Sequence, residues 1–170
     1  MTRTIPLLSI ALLAAGAIAP LSPASARQGA FIARGAQGHA AGLAGARGAA
    51  VRGGRTVTNA DGSVTHQNGS AYRGLNGGAG GRTASTTINP DGSVSRSAQG
   101  SGSGPRGSSA STGGFARNAD GSWSGSRSTS ATSAATGVSY SGSTSIDPAT
   151  GKPVHSGGCT DASGAAIACR

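Results

Sequence analysis

The chain has 170 residues, 31 of them glycine, and its 14 basic residues outweigh five acidic ones, giving a net charge of +9. All five acids are aspartate, which leaves few carboxylates for general acid–base chemistry. Beyond Ala26, large apolar side chains are scarce, and aromatic residues make up only 3% of the chain. Burying one such side chain stabilises a fold by ~1.5–3 kcal/mol, whereas ordering each backbone residue costs ~1–2 kcal/mol, so the composition excludes a conventional core across the whole chain.

The segment from Met1 to Ala26 has the pattern of a secretory signal peptide. Arg3 precedes an apolar run from residue 6 to residue 19, and an Ala-Ser-Ala triplet ends at Ala26. The run is too short to span a bilayer, and the small residues suit a signal peptidase. We therefore predict cleavage before Arg27, a mature chain without a transmembrane segment, and export to the periplasm, the cell surface or the extracellular space.

Residues 27–55 consist mainly of Gly, Ala and Arg. Repeated glycines each cost a helix ~1 kcal/mol relative to alanine, so we expect a disordered basic arm here. Guanidinium groups bind phosphates and carboxylates in a bidentate manner, which makes the arm a candidate site for polyanions such as lipopolysaccharide, acidic polysaccharide or DNA. The candidate residues are Arg27, Arg34, Arg47, Arg52 and Arg55.

At Thr56 the composition changes to Thr, Ser and Val in alternation, and a turn motif begins to repeat. Three segments read Asn-x-Asp-Gly-Ser, and a fourth reads Asp-Pro-Ala-Thr-Gly. Asn at the first position and Gly in the left-handed conformation are typical of a type I turn that closes a β-hairpin. The predicted turn-forming residues are Asn59, Asp61, Gly62, Asn89, Pro90, Asp91, Gly92, Asn118, Asp120, Gly121, Asp147, Pro148 and Gly151.

The repeated turns predict an all-β fold, an array of short antiparallel hairpins forming a meander or an irregular solenoid over residues 56–157. The turn aspartates recur at intervals of about 30 residues, and such a period corresponds to one supersecondary unit per repeat. Asn68-Gly69 predicts a further two-residue turn inside the first repeat. The Gly/Ser-rich segments 97–114 and 126–136 are either linkers, which would leave the region partly disordered, or weakly paired strands.

Cys159 and Cys169 are the only cysteines, and they flank another turn-like sequence. Because an exported chain meets an oxidising compartment, we predict an intramolecular disulfide that closes a C-terminal hairpin over residues 158–170. Metal and catalytic sites are not predicted. Each turn has a single aspartate where calcium needs several carboxylates, the histidines lie in separate segments, and the many serines lack a base and an orienting acid.

The signal peptide, the Asn-x-Asp-Gly-Ser hairpins and the C-terminal cysteine pair resemble those of exported Gly/Ser/Thr-rich β-hairpin repeat proteins of Gram-negative bacteria. The resemblance covers Thr56 to Cys169 and implies no activity. We also predict no cofactor and no small-molecule substrate. We therefore predict a non-enzymatic structural or surface-interaction protein of the bacterial envelope. The alternatives are a polyanion binder acting through the basic arm and a chain that self-associates into cross-β fibres.

Overall fold

A computed structural model describes residues 29–169, and these residues form one antiparallel sheet of 11 strands. Every strand is hydrogen-bonded to its neighbours in sequence, so the sheet is a simple meander. The prediction of an all-β array of antiparallel hairpins is confirmed. The strands are β1 (Gly29–Gly35), β2 (Gly38–Gly45), β3 (Gly48–Thr58), β4 (Val64–Gly74), β5 (Ala79–Ile88), β6 (Val94–Gly104), β7 (Gly107–Arg117), β8 (Trp123–Ser133), β9 (Ser139–Ile146), β10 (Pro153–Thr160) and β11 (Ala166–Ile167).

The Asn-x-Asp-Gly-Ser segments form the turns that the sequence predicts. In the first, the backbone N–H of Gly62 donates to the carbonyl of Asn59 at 3.0 Å, and Gly62 has a φ of 81°. The amide of Asn59 also donates to the hydroxyl of Ser63 at 2.8 Å. The same bonds recur in the second and third copies. Each turn fixes the register of the hairpin that it closes, because the strands can pair only outward from it.

One repeat of the turn motif corresponds to two strands and two turns. Since the chain reverses at every connection, the turns containing Asp61, Asp91, Asp120 and Asp147 all lie along one edge of the sheet. The connections at the other edge include Arg47 and Arg106, together with the fifth aspartate, Asp161. We call the first the aspartate edge and the second the opposite edge.

The prediction of a disordered arm is wrong from residue 29 onward. Residues 29–55 form β1, β2 and most of β3, and β3 pairs with β4 along its whole length. Gly and Ala show no hydrophobic alternation, which is why this part of the sequence contains no strand signal. Their backbones nevertheless form continuous ladders of hydrogen bonds from β1 to β4. Arg27 and the predicted signal peptide lie outside the described residues.

The pairing of the strands decides between the two alternatives for the Gly/Ser-rich segments and shows that one predicted turn is wrong. The Gly/Ser-rich segments 97–114 and 126–136 lie largely in β6, β7 and β8, so they are paired strands. Asn68-Gly69 is not a turn but the middle of β4, where Asn68 lies between Gly54 and Ala84. The chain turns after Gly74 instead. A turn at Asn68 would leave half of β3 without a hydrogen-bonding partner, so pairing along the full strand prevails over the local turn preference.

The sheet has almost no core. Five of the described residues are buried, namely Gly42, Ser63, Ala84, Gly142 and Cys159. Most of the large apolar side chains are exposed, including Ile32 at 74 %. Backbone ladders and cross-strand pairs therefore hold the structure together, which agrees with the small apolar content of the sequence.

The predicted disulfide is present between Cys159 and Cys169. Cys159 lies in β10 opposite Ile167 of β11, and the turn between them is a further aspartate turn in which Ser163 donates its backbone N–H to Asp161 at 2.9 Å. The C-terminal hairpin is continuous with the sheet, because β10 also pairs with β9 along its whole length.

Candidate functional site

The arginines are distributed unequally between the two faces of the sheet. Successive side chains in a strand point to opposite faces, and residues directly opposite each other in a ladder share a face. Two arginines, Arg55 and Arg73, lie on one face and six lie on the other. We call the second the arginine face; its arginines are Arg34, Arg52, Arg82, Arg96, Arg117 and Arg127.

The other face is rich in small hydroxyl side chains from β5 to β10, and we call that part the hydroxyl face. In β8 it presents Ser124, Ser126, Ser128, Ser130 and Thr132, and in β9 it presents Ser139, Ser141, Ser143 and Ser145. Within β5 to β10 no charged side chain belongs to it. The sequence predicted this alternation for residues 138–146, and the register extends it over six strands.

The aspartates lie in the turns and are bound to them. Asp61 accepts hydrogen bonds from the hydroxyl of Ser63 at 2.7 Å and from its backbone N–H at 2.9 Å. The side chain of Ser63, followed by its backbone N–H, holds the pKa of Asp61 below its ordinary value. The pKa values of the other four aspartates are lowered in the same way, by a hydroxyl side chain of the turn and then by backbone N–H groups. The carboxylates are therefore charged, and they accept hydrogen bonds from their own turns at the ends of the hairpins.

An open groove of about 610 Å³ crosses β4 to β8 on the arginine face. Its floor is made of residues without long side chains, including Ala98, Gly100 and Gly113. The larger side chains that line it are Tyr72, Arg82, Arg96, Phe115 and Arg127. The groove therefore combines cations and aromatic rings around a shallow floor of small residues.

Two of the groove arginines are held by hydroxyl groups. Arg96 donates from Nη1 to Thr86 Oγ1 at 3.3 Å, and Arg127 donates from Nη2 to Ser111 Oγ at 3.1 Å. A guanidinium has five N–H donors, so each of these bonds uses one of them. Both bonds go to neutral partners, and the positive charge of the groove is kept.

The arginines predicted to bind polyanions do not form one site. Arg34 and Arg52 lie on the arginine face, whereas Arg47 lies in the turn between β2 and β3. Arg55 lies on the other face, where its Nε donates to Gln67 Oε1 at 2.8 Å. Arg27 lies outside the described residues. The basic residues that the structure describes therefore do not lie on a mobile arm. Two of them belong to a basic face of a paired sheet.

The sequence predictions missed four arginines of the arginine face although a signal was present, namely Arg82, Arg96, Arg117 and Arg127. Each of them lies an odd number of positions from the Asn that begins the nearest turn, which is Asn89 or Asn118. In a strand that is joined directly to a turn, all residues at an odd number of positions from that Asn lie on the same face. Arg55 lies an even number of positions before its turn and is on the other face.

The three histidines also belong to the arginine face, at positions 39, 66 and 155. They lie in β2, β4 and β10. His155 contacts Tyr140 Oη at 3.2 Å and Thr144 Oγ1 at 3.1 Å. Within residues 29–169 no three His, Cys, Asp or Glu side chains come together as metal ligands would.

No protein-family model matches the chain, and neither a curated protein nor a solved structure is similar to it. In the part of the chain that the structure describes, no residue belongs to a helix with the length and hydropathy to cross a membrane. The resemblance to exported repeat proteins stays a prediction that rests on the turn motif and the cysteine pair.

Proposed function

We propose that the protein is a non-enzymatic, exported structural or surface-interaction protein of the bacterial envelope. The observation that carries this proposal is the separation of side chains on a sheet exposed on both sides, with six arginines on one face and, from β5 to β10, neutral hydroxyl groups on the other. Such an arrangement presents most of the side chains to the surroundings, where they are available for interactions. The disulfide between Cys159 and Cys169 fits an oxidising compartment, which supports export.

Binding of polyanions is the second candidate function, and the arginine face favours it. Six arginines project from this face, whereas the aspartates lie in turns at the ends of the strands. Arginine suits phosphate and carboxylate groups because its planar fork forms bidentate hydrogen bonds. Outside the cytoplasm, the anions available to it are acidic polysaccharide, lipopolysaccharide phosphate and released DNA.

Export is tested by producing the full chain with its own N-terminus in a Gram-negative host. We expect the protein in the periplasmic or envelope fraction, with Arg27 as its first residue. Leu12→Arg interrupts the apolar run and should keep the chain unprocessed in the cytoplasm. An intact N-terminus at Met1 in the cytoplasmic fraction of the unchanged chain would overturn the proposal of export.

Envelope interaction is tested with the purified exported protein and isolated cell envelopes. We expect binding that weakens steeply with salt, because contacts between arginines and anionic groups release counterions. Changing the six arginines of the arginine face to Gln should remove most of the salt dependence. Envelope binding of equal strength and equal salt dependence in that variant would exclude the arginine face as the binding surface.

A further inference from the structure

We propose that the groove on the arginine face is a binding site for an acidic polysaccharide, a chain of sugars that carries anionic groups. The proposal rests on the polyanion binding suggested above and assigns it to one place and one class of ligand. Three features of the groove support it: the spacing of its cations, the shape of its floor and the position of its aromatic rings.

The cations of the groove are spread out. With strands ~4.8 Å apart and ~3.4 Å of rise per residue, the ladder register places the Cα atoms of Arg82, Arg96 and Arg127 roughly 12–16 Å from one another. The guanidinium groups of Arg96 and Arg127 are also held apart, because Arg96 donates to Thr86 on β5 and Arg127 donates to Ser111 on β7. A single phosphate would need donors that converge on one point. Cations at this spacing instead suit an extended chain whose negative charges recur along its length.

The basic character continues beyond the groove. Arg52 and Arg82 both lie opposite Ser70, one strand away on either side. An extended chain leaving the groove across β4 therefore meets a further arginine on β3. This path runs perpendicular to the strands, along a row in which Gly100, Ser111 and Thr129 follow Arg82.

The floor of the groove fits a broad, hydroxylated ligand. Ala98, Gly100 and Gly113 leave room for a sugar ring to approach the backbone. Ser111 and Thr129 line the same groove, and hydroxyl groups both donate and accept hydrogen bonds, as those of a sugar do. The floor therefore offers polar partners for a neutral part of the ligand between its charges.

The aromatic rings favour a sugar chain over single-stranded nucleic acid. Tyr72 is 55 % exposed, and its ring provides an apolar surface for the C–H groups of a sugar. The register places Tyr72 and Phe115 three strands apart and well offset along them, so their Cα atoms are roughly 25 Å from each other by the same spacings. Proteins that bind single strands stack successive bases on neighbouring aromatic rings, which these two positions do not allow.

The test measures binding of the purified exported chain to four polymers at physiological salt by calorimetry: polygalacturonate, dextran sulfate, neutral dextran and oligothymidylate. We expect polygalacturonate and dextran sulfate to bind and neutral dextran not to bind. Tighter binding of oligothymidylate would indicate a nucleic-acid partner and overturn the proposal. Binding to none of the charged polymers would overturn both this site and the second candidate function.

Two charge-matched triple variants separate the groove from overall charge. R82Q/R96Q/R127Q removes the groove cations, and we expect at least about tenfold weaker binding of polygalacturonate, because hydrogen bonds to charged groups are lost. R47Q/R73Q/R106Q removes three arginines at or near the opposite edge and should change binding by less than about twofold. Circular dichroism of both variants checks that the sheet is retained. Equal weakening in the two variants would show attraction by net charge alone, which overturns the groove while leaving polyanion binding in place.

Tyr72→Leu tests the contribution of the aromatic ring, because it leaves the charge of the protein unchanged. We expect several-fold weaker binding of polygalacturonate with an unchanged dependence on salt, because leucine has no flat ring face for the C–H groups of a sugar and no cation is lost. Unchanged affinity in this variant would remove the ring from the site and contradict the argument for a sugar ligand.

Discussion

Tyr72 lies across Gly80, its partner in the ladder between β4 and β5. A Cβ atom built on Gly80 would be 2.8 Å from the ring Cε1 and 2.9 Å from the hydroxyl oxygen of Tyr72. The same relationship joins Phe115 to Gly125, its ladder partner on β8, where an added Cβ would be 2.9 Å from the ring Cδ1. An aromatic ring over a cross-strand glycine covers exposed backbone and replaces part of the missing core.

Gly80→Ala should therefore destabilise the sheet. We expect a loss of about 1–3 kcal/mol, because the new methyl group displaces the ring and also approaches the carbonyl of Ser101. The measurement is urea unfolding followed by circular dichroism. Gly158→Ala is the matched control, since an added Cβ there meets nothing within 4 Å, and it should be neutral or slightly stabilising. Equal losses in the two variants would contradict the role of the ring.

The turn glycines should be sensitive to substitution through their backbone conformation. Gly121 has a φ of 85°, and an added Cβ would meet no atom within 4 Å. Gly121→Ala should cost about 1–2 kcal/mol, because alanine is strained in the left-handed region although there is space for its methyl group. Gly121→Asn should cost less, since Asn tolerates this conformation. Urea unfolding of the two variants checks the order, and an equal cost would point to a cause other than φ.

Stability should fall at acidic pH in a defined direction. Hydrogen bonds from the turns lower the pKa values of the five aspartates from their ordinary value of 3.8. A group whose pKa is lowered in the folded state contributes stability that is present above the unfolded value and lost as pH falls through the folded one. Thermal melts should therefore be level above about pH 5 and should shift to lower temperature below about pH 4.

Replacing the five aspartates by Asn provides the control for this pH dependence. The variant should melt at a lower temperature than the unchanged chain at neutral pH, and its melting temperature should vary little between about pH 5 and pH 2 because the titrating groups are gone. An equally steep fall in acid in the variant would mean that other groups cause the acid sensitivity.

The disulfide should stabilise the C-terminal edge of the sheet. C159A/C169A opens a loop with a sequence separation of 10, and the loop-entropy estimate gives a loss of about 2–3 kcal/mol. Hydrogen exchange measured by mass spectrometry should increase most in β10 and β11 and least in β5 to β7, which lie several strands away from the disulfide. Reducing the unchanged chain should reproduce the pattern. Uniformly faster exchange would indicate that the bond supports the whole sheet.

The sequence alone determined the class of the fold, because its strongest signals are local. The turn motif at Asn59, Asn89 and Asn118 requires only its own residues and one left-handed glycine, and the turns form as predicted. The disulfide was predictable for a similar reason, since the two cysteines flank a single turn. The apolar content excluded a compact core, and the sheet has almost none.

Only the tertiary structure decided where strands continue and which arginines come together. The Gly/Ala strands β1 and β2 have no periodic signal, and their place in the sheet follows from backbone pairing with each other and with β3. Asn68-Gly69 favours a turn locally but lies within the ladder that joins β3 and β4 along their full length, which a turn would break. The arginine face depends on the register of successive strands from β1 to β8, and a shift of one residue would move any of its arginines to the other face.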